Sequence, residues 1–137
     1  MFIEALNHQE RTALLATLAH LATLSGVVTE AETAFIAAVA KNLGVPSPND
    51  IRQFADRELT DLLAPIQRLE AKRVALMELV NLGYADGEYC QAERAGVRKI
   101  AAVLQVQEDT LKEIEKWVED GVDWTRRGRD LLADRRV

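Results

Sequence analysis

Asp86, Glu88 and Glu93 place three carboxylates within one short segment, Ala85-Asp86-Gly87-Glu88-Tyr89-Cys90-Gln91-Ala92-Glu93. Oxygen-rich segments of this kind suit hard cations such as Ca²⁺ or Mg²⁺. The spacing is not that of an EF-hand, whose loop alternates acidic ligands and closes on a bidentate glutamate at position 12. The same residues also read as a turn followed by a helix cap. Asp-Gly is a common turn dipeptide. Glu93 stands where the glutamate of a capping box belongs, with Cys90 at the N-cap position. On the residues alone both readings are open. The rest of the chain offers little chemistry. His8 and His20 are far apart, Cys90 is the single cysteine, and the glycines are scattered rather than gathered into a phosphate loop. The absence of a Glu-x-x-His pair argues against a di-iron bundle. His20 falls opposite Leu18 on its helix and is expected at a surface or interface.

The elements that would position these carboxylates are helical. Apolar residues recur at helical spacing, no run alternates in the manner of a strand, and aromatic residues are 5% of the chain. The periodicity predicts helices over 10–24, from Thr29 to about 43, over 68–84, 91–104 and 109–119, and a last one over 123–133. Thr29-Glu30-Ala31-Glu32 reads as a capping box and Gly44 as a C-terminal glycine. Ser47-Pro48 reads as the start of a short helix over 48–56, and Thr60-Asp61 as another short turn. Gly121 is expected to end the helix before it. Trp117 is expected in the core, and Trp124 beside Arg126 and Arg127 either as a cap on the core or as an exposed anchor.

Shifting the chain by about 61 residues aligns two helix–loop–helix units. Leu15, Leu18 and Leu21 fall on Leu76, Leu79 and Leu82. Gly26 falls on Gly87, Ala31-Glu32 on Ala92-Glu93, and Leu43 and Val45 on Leu104 and Val106. Leucines alone could coincide by chance; the loop glycine and the following glutamate make a duplication the better reading. The expected fold is all-α, a bundle of about seven helices built on two helical hairpins related by a pseudo-two-fold axis. One domain spans 1–137: repeat one about 10–45, a connector 46–67, repeat two about 68–106, and C-terminal helices over 107–137.

Composition excludes several classes. The chain of 137 residues is 48% hydrophobic with a net charge of -5, too apolar for intrinsic disorder. A lone cysteine excludes a disulfide framework. No long uncharged apolar run suggests a membrane span. Met1-Phe2-Ile3-Glu4 lacks the basic and apolar regions of a secretory signal, so the expected location is cytoplasmic. The acidic balance argues against nucleic acid. Arg126, Arg127, Arg129, Arg135 and Arg136 concentrate positive charge at the end, either as a solvated helix end or as a basic patch for a partner or an anionic membrane surface.

Tyr84-Ala85-Asp86-Gly87-Glu88, with Ala92-Glu93-Arg94 and Ile100-Ala101-Ala102-Val103-Leu104, resembles the tellurite-resistance TerB-like family. The resemblance covers about residues 10–120. It implies a helical bundle, a cytoplasmic stress-associated role, acidic loop residues proposed to bind metal, and no established reaction. A related domain is found in a membrane-anchored DnaJ-like co-chaperone. The acidic motif maps onto Asp86 and Glu93 in the second repeat and onto Glu32 in the first. The first loop departs from the pattern, with Ser25 opposite Asp86 and Val27 opposite Glu88.

The expected function is therefore a non-enzymatic interaction module that holds a divalent cation, Ca²⁺ or Mg²⁺, among Asp86, Glu88, Glu93, Glu32 and Glu30. The alternative is a co-chaperone or scaffold domain that binds a protein without metal, with Trp124, Arg126 and Arg127 as its contact residues. Peripheral membrane association is a further use of the same residues. Oligomeric state is not legible in an Ala/Leu-rich bundle.

Overall fold

Asn7 starts the first helix. Its side-chain oxygen accepts from the Glu10 backbone N–H at 2.9 Å, and Glu10 Oε1 accepts from the Asn7 N–H at 2.8 Å. That is a capping box, which closes two of the donors a helix start leaves open. The computed structural model describes residues 2–133. Its helices are α1 (His8–Thr23), α2 (Glu30–Leu43), α3 (Leu59–Leu63), α4 (Leu69–Gly83), α5 (Gln91–Leu104) and α6 (Glu108–Leu132), with 3-10 turns at Ile3–Ala5 and Ile51–Phe54. Among the described residues there is no strand, and the architecture is all-α.

The offset of 61 carries the bounds of α2 onto those of α5, and the start of α1 onto the start of α4. Both interhelical loops turn on a glycine in the left-handed region, Gly26 at φ 87° and Gly87 at φ 98°. Glycine takes that region without a Cβ clash. Both second helices end alike. Gly44 and Gln105 are left-handed, and Val45 and Val106 donate back to Ala40 O and Ala101 O at 3.1 and 2.9 Å. These are Schellman-type ends, which satisfy carbonyls the helix leaves open.

α1 and α4 form the inside of the bundle. Leu14, Leu18, Ala19 and Leu21 on α1 are fully buried, as are Leu76, Leu79, Val80 and Leu82 on α4. A helix apolar on nearly every side must be surrounded, and α1 contacts α2, α3, α4, α5 and the Ile51–Phe54 turn. That turn explains a departure from the sequence reading. His20 is buried, not at the surface, because the turn lies over its face of α1 and Phe54 O stands 2.8 Å from Nδ1. The carbonyl can only accept, which places the proton on Nδ1. The turn itself is capped by Asp50, whose carboxylate accepts from Arg52 N at 3.0 Å, rather than by Ser47 ahead of Pro48.

The second departure is α6. Gly121 does not end it, so the helices expected over 109–119 and 123–133 are one, and among the described residues six α-helices replace about seven. An interior glycine weakens a helix by about 1 kcal/mol relative to alanine. It ends one only by turning left-handed, and Gly121 does not.

Glu78 is buried on α4 at the position equivalent to Thr17 of α1. Burial raises its carboxyl above the ordinary 4.5. The sign follows from linkage: a raised value favours the fold below pH 4.5, and that advantage is lost as pH rises through the folded value. Glu78→Gln should therefore stabilise the protein at neutral pH by up to about 1 kcal/mol. Urea unfolding of both proteins at pH 7 and at pH 4 checks it. A difference that does not shrink at the lower pH would exclude desolvation of the charge as the cause.

Candidate functional site

The starts of α2 and α5 are the places where the repeat concentrates acid. Thr29 caps α2, with its Oγ1 accepting from Glu32 N at 3.1 Å and Glu32 Oε1 accepting from Thr29 N at 2.9 Å. Cys90 opens α5, and its N–H donates to Glu93 Oε1 at 3.2 Å. Each glutamate thus spends one carboxylate oxygen on a helix cap. Both residues are almost wholly buried, at 1% and 2% exposure. Glu32 is close enough to Glu93 for its charge to raise the Glu93 carboxyl. The second oxygen of each, Glu32 Oε2 and Glu93 Oε2, is buried with no hydrogen-bond partner.

Two neighbouring buried carboxylates, each with one oxygen lacking a donor, are an unusual arrangement. Buried charges are ordinarily paired, hydrogen-bonded or neutralised. Burial raises the Glu93 carboxyl, and the neighbouring Glu32 raises it further against the hydrogen bonds from Cys90. Two chemical species would satisfy the pair: a proton shared between the carboxyl groups, or a cation held between the two free oxygens. The donor set bears on which cation. Ca²⁺ takes six to eight oxygens, whereas Mg²⁺ keeps several waters and is bound through one or two carboxylates. Two carboxylate oxygens match the second pattern. Among the described residues, no three His, Cys, Asp or Glu side chains converge as a metal-holding group.

The other acidic residues singled out by the sequence lie elsewhere. Asp86, Glu88 and Glu30 are exposed. Asp86 Oδ1 accepts from Glu88 N at 3.3 Å, a local turn contact. Adjacency in the chain therefore brought Asp86 and Glu88 to one loop tip. The repeat, not adjacency, brought Glu32 to Glu93. Cys90 is half-buried, and its thiol is raised first by burial and then by the Glu93 carboxylate. A thiol held neutral is the weaker nucleophile.

The chain from residue 11 to residue 116 matches the family model described as tellurite resistance protein TerB. The chain belongs to the TerB family. Neither the curated proteins nor the solved structures compared gave a match. The TerB match runs from within α1 to the first part of α6, and so includes Glu32 and Glu93.

A second acidic centre in the TerB domain was not expected. Glu115 on α6 is buried and accepts from Tyr89 Oη at 2.8 Å and from Arg98 at 3.0 and 2.9 Å. Burial works to raise its carboxyl, but Arg98 and Tyr89 outweigh burial and hold it below the ordinary range. Arg94 stacks over the Tyr89 ring, its guanidinium carbon 4.3 Å from the centroid. This network ties α6 to α5 and to the loop after Gly87.

The residues expected to meet a partner lie on α6. Trp124 is 72% exposed, and Arg126 and Arg127 are exposed. Arg126 reaches Asp123 at 3.4 Å. Trp117 is not core as expected. It is 43% exposed, packs against Phe2 with ring centroids 5.9 Å apart, and lines a groove with Phe35, Tyr84 and Trp124. Arg135 and Arg136 lie outside the described residues. Among the described residues no helix is long and apolar enough to cross a membrane.

Proposed function

We propose that this TerB-family chain is a non-enzymatic interaction module of the cytoplasm whose switchable element is the Glu32–Glu93 pair. The pair holds a divalent cation of the Mg²⁺ type between two helix starts. One observation carries the reading: two neighbouring buried glutamates each keep one carboxylate oxygen without a donor. A cation there would replace repulsion between like charges by attraction, and would brace α2 against α5. The bracing would stabilise the ends of both interhelical loops, where Asp86 and Glu88 are exposed.

The test is calorimetric titration of chelator-stripped protein with Mg²⁺, Mn²⁺ and Ca²⁺ in turn. The expected result is binding of Mg²⁺ and Mn²⁺ in preference to Ca²⁺, abolished by Glu32→Gln and unaffected by Glu30→Gln. Heat of binding that survives Glu32→Gln would place the cation elsewhere. No binding by any of the three would leave the module without a metal, and the scaffold reading would stand instead.

A further inference from the structure

α6 carries a stripe that the TerB match does not reach; it starts at the groove beside Phe35 and Tyr84 and runs out along the exposed end of the helix. Trp117, Gly121, Trp124, Gly128 and Leu131 follow one another at steps of four and three, and so share one face of the helix. The family match ends at residue 116, so the stripe begins just past it. Trp124 and Leu131 are 72% and 56% exposed. Beyond Val118 no side chain of α6 is buried.

The two glycines make this face more specific than an exposed apolar patch. A Cβ added at Gly121 or Gly128 would meet nothing within 4 Å. Neither glycine takes a left-handed conformation. Nothing inside the chain therefore requires glycine at either position, although each weakens an exposed helix. A glycine on a helix surface leaves a notch into which a large side chain from a second helix can fit. The stripe thus alternates two indole rings with two notches.

That alternation is complementary to itself. We infer that α6 pairs antiparallel with α6 of a second copy of this chain, each tryptophan set into a glycine notch of the other. With the two-fold axis between Val122 and Asp123, Trp117 falls opposite Gly128 of the other copy and Trp124 opposite Gly121. Large meets small at all four positions. Charge agrees with the same register. Asp120, which Lys116 also reaches at 2.7 Å, and Arg127 flank the stripe on its solvent side, and the pairing brings Asp120 of each copy beside Arg127 of the other. Two opposite-charge contacts result, related by the symmetry. A membrane surface fits less well, because acidic Asp120 shares that flank with Arg127, where a membrane-binding helix carries Lys and Arg alone. The paired length is short, about 18 Å at the rise of an α-helix. Such an interface is of the transient class, so the dimer forms with rising concentration and dissociates on dilution. Neither Glu32 nor Glu93 lies on α6, so the pairing stands apart from the cation reading.

Sedimentation velocity of the full chain over a concentration series tests the pairing. The wild type should pass from monomer to dimer. Gly121→Leu and Gly128→Leu should fold at least as well, since nothing occupies the space they enter. Each should nonetheless weaken the dimer by about tenfold or more, the change expected when a buried aromatic anchor loses its pocket. Asp120→Arg and Arg127→Asp should each abolish self-association. Mixed together they should form a dimer, because both symmetry-related contacts then join opposite charges. A wild type that stays monomeric throughout would overturn the pairing, as would leucine variants that associate like the wild type, or charge variants that stay apart when mixed. A blue shift of tryptophan emission on anionic vesicles from a monomeric wild type would assign the stripe to a membrane and equally overturn it.

Discussion

Glu115→Ala should lower the stability of the protein by about 3 kcal/mol, a fall of roughly 10 °C in Tm for a domain of this size. Three hydrogen bonds end on that one carboxylate, one from the buried Tyr89 hydroxyl and two from Arg98. Removing it leaves the hydroxyl without an acceptor at 7% exposure. It also leaves Arg98 without its bidentate partner. An unsatisfied buried donor costs about 1–3 kcal/mol, and breaking a buried ion pair about 3–5 kcal/mol. Arg98 is 35% exposed, so water recovers part of that loss and the lower end applies. Tyr89→Phe removes the donor along with its need and should cost about 1 kcal/mol. The charge has a pH signature of its own. A lowered carboxyl contributes stability at neutral pH that is lost as pH falls through its folded value. Thermal melts of the two variants between pH 3 and pH 7 read both effects. Equal losses in the two would show that the phenol contact accounts for the whole effect of Glu115→Ala.

Glu93→Gln should act in the opposite direction. The amide oxygen keeps the cap on Cys90 N, and the amide N–H₂ can donate to Glu32 Oε2, which lacks a donor in the wild type. Like-charge repulsion is removed and a buried acceptor is satisfied. Metal-free Glu93→Gln should be more stable than metal-free wild type by about 1–2 kcal/mol, or roughly 3–6 °C. Few substitutions of a buried charged residue stabilise a protein, which makes the sign diagnostic. Glu93→Ala loses the cap without supplying a donor, and should destabilise by about 1 kcal/mol. If Glu93→Gln is also destabilised, the two carboxyl groups do not repel each other in the folded chain.

The sequence and the structure agree where the controlling physics is local. Thr29 with Glu32 and Cys90 with Glu93 are legible because a capping box is written within four consecutive positions. Asn7 with Glu10 carries the same signature and could have been read the same way. The left-handed glycines Gly26 and Gly87 were legible from the repeat for the same reason. What the sequence hid is set by contacts between distant elements. His20 looks like a surface residue on its own helix, and only the Ile51–Phe54 turn packed over it changes that. Tyr89, Arg98 and Glu115 have no spacing that would group them, since they come from a loop and two helices. The acidic segment misleads in the opposite way. Asp86 and Glu88 are close in the chain to Glu93, yet they are exposed while Glu93 is buried. The partner of Glu93 is the residue 61 positions earlier, which the offset of the repeat singles out. Gly121 shows the limit of punctuation rules: a glycine with helical neighbours on both sides weakens a helix without ending it.

The central claim is that Glu32 and Glu93 hold one divalent cation of the Mg²⁺ type between them. A thermal melt of chelator-stripped full-length protein against rising Mg²⁺, run beside Glu93→Gln, tests it most directly. Mg²⁺ at about 100 times its Kd should stabilise the wild type by ~2.7 kcal/mol, which is roughly 8–10 °C here. Glu93→Gln should start higher and not move. A wild type that does not respond to Mg²⁺, or a variant that responds as the wild type does, would contradict the claim.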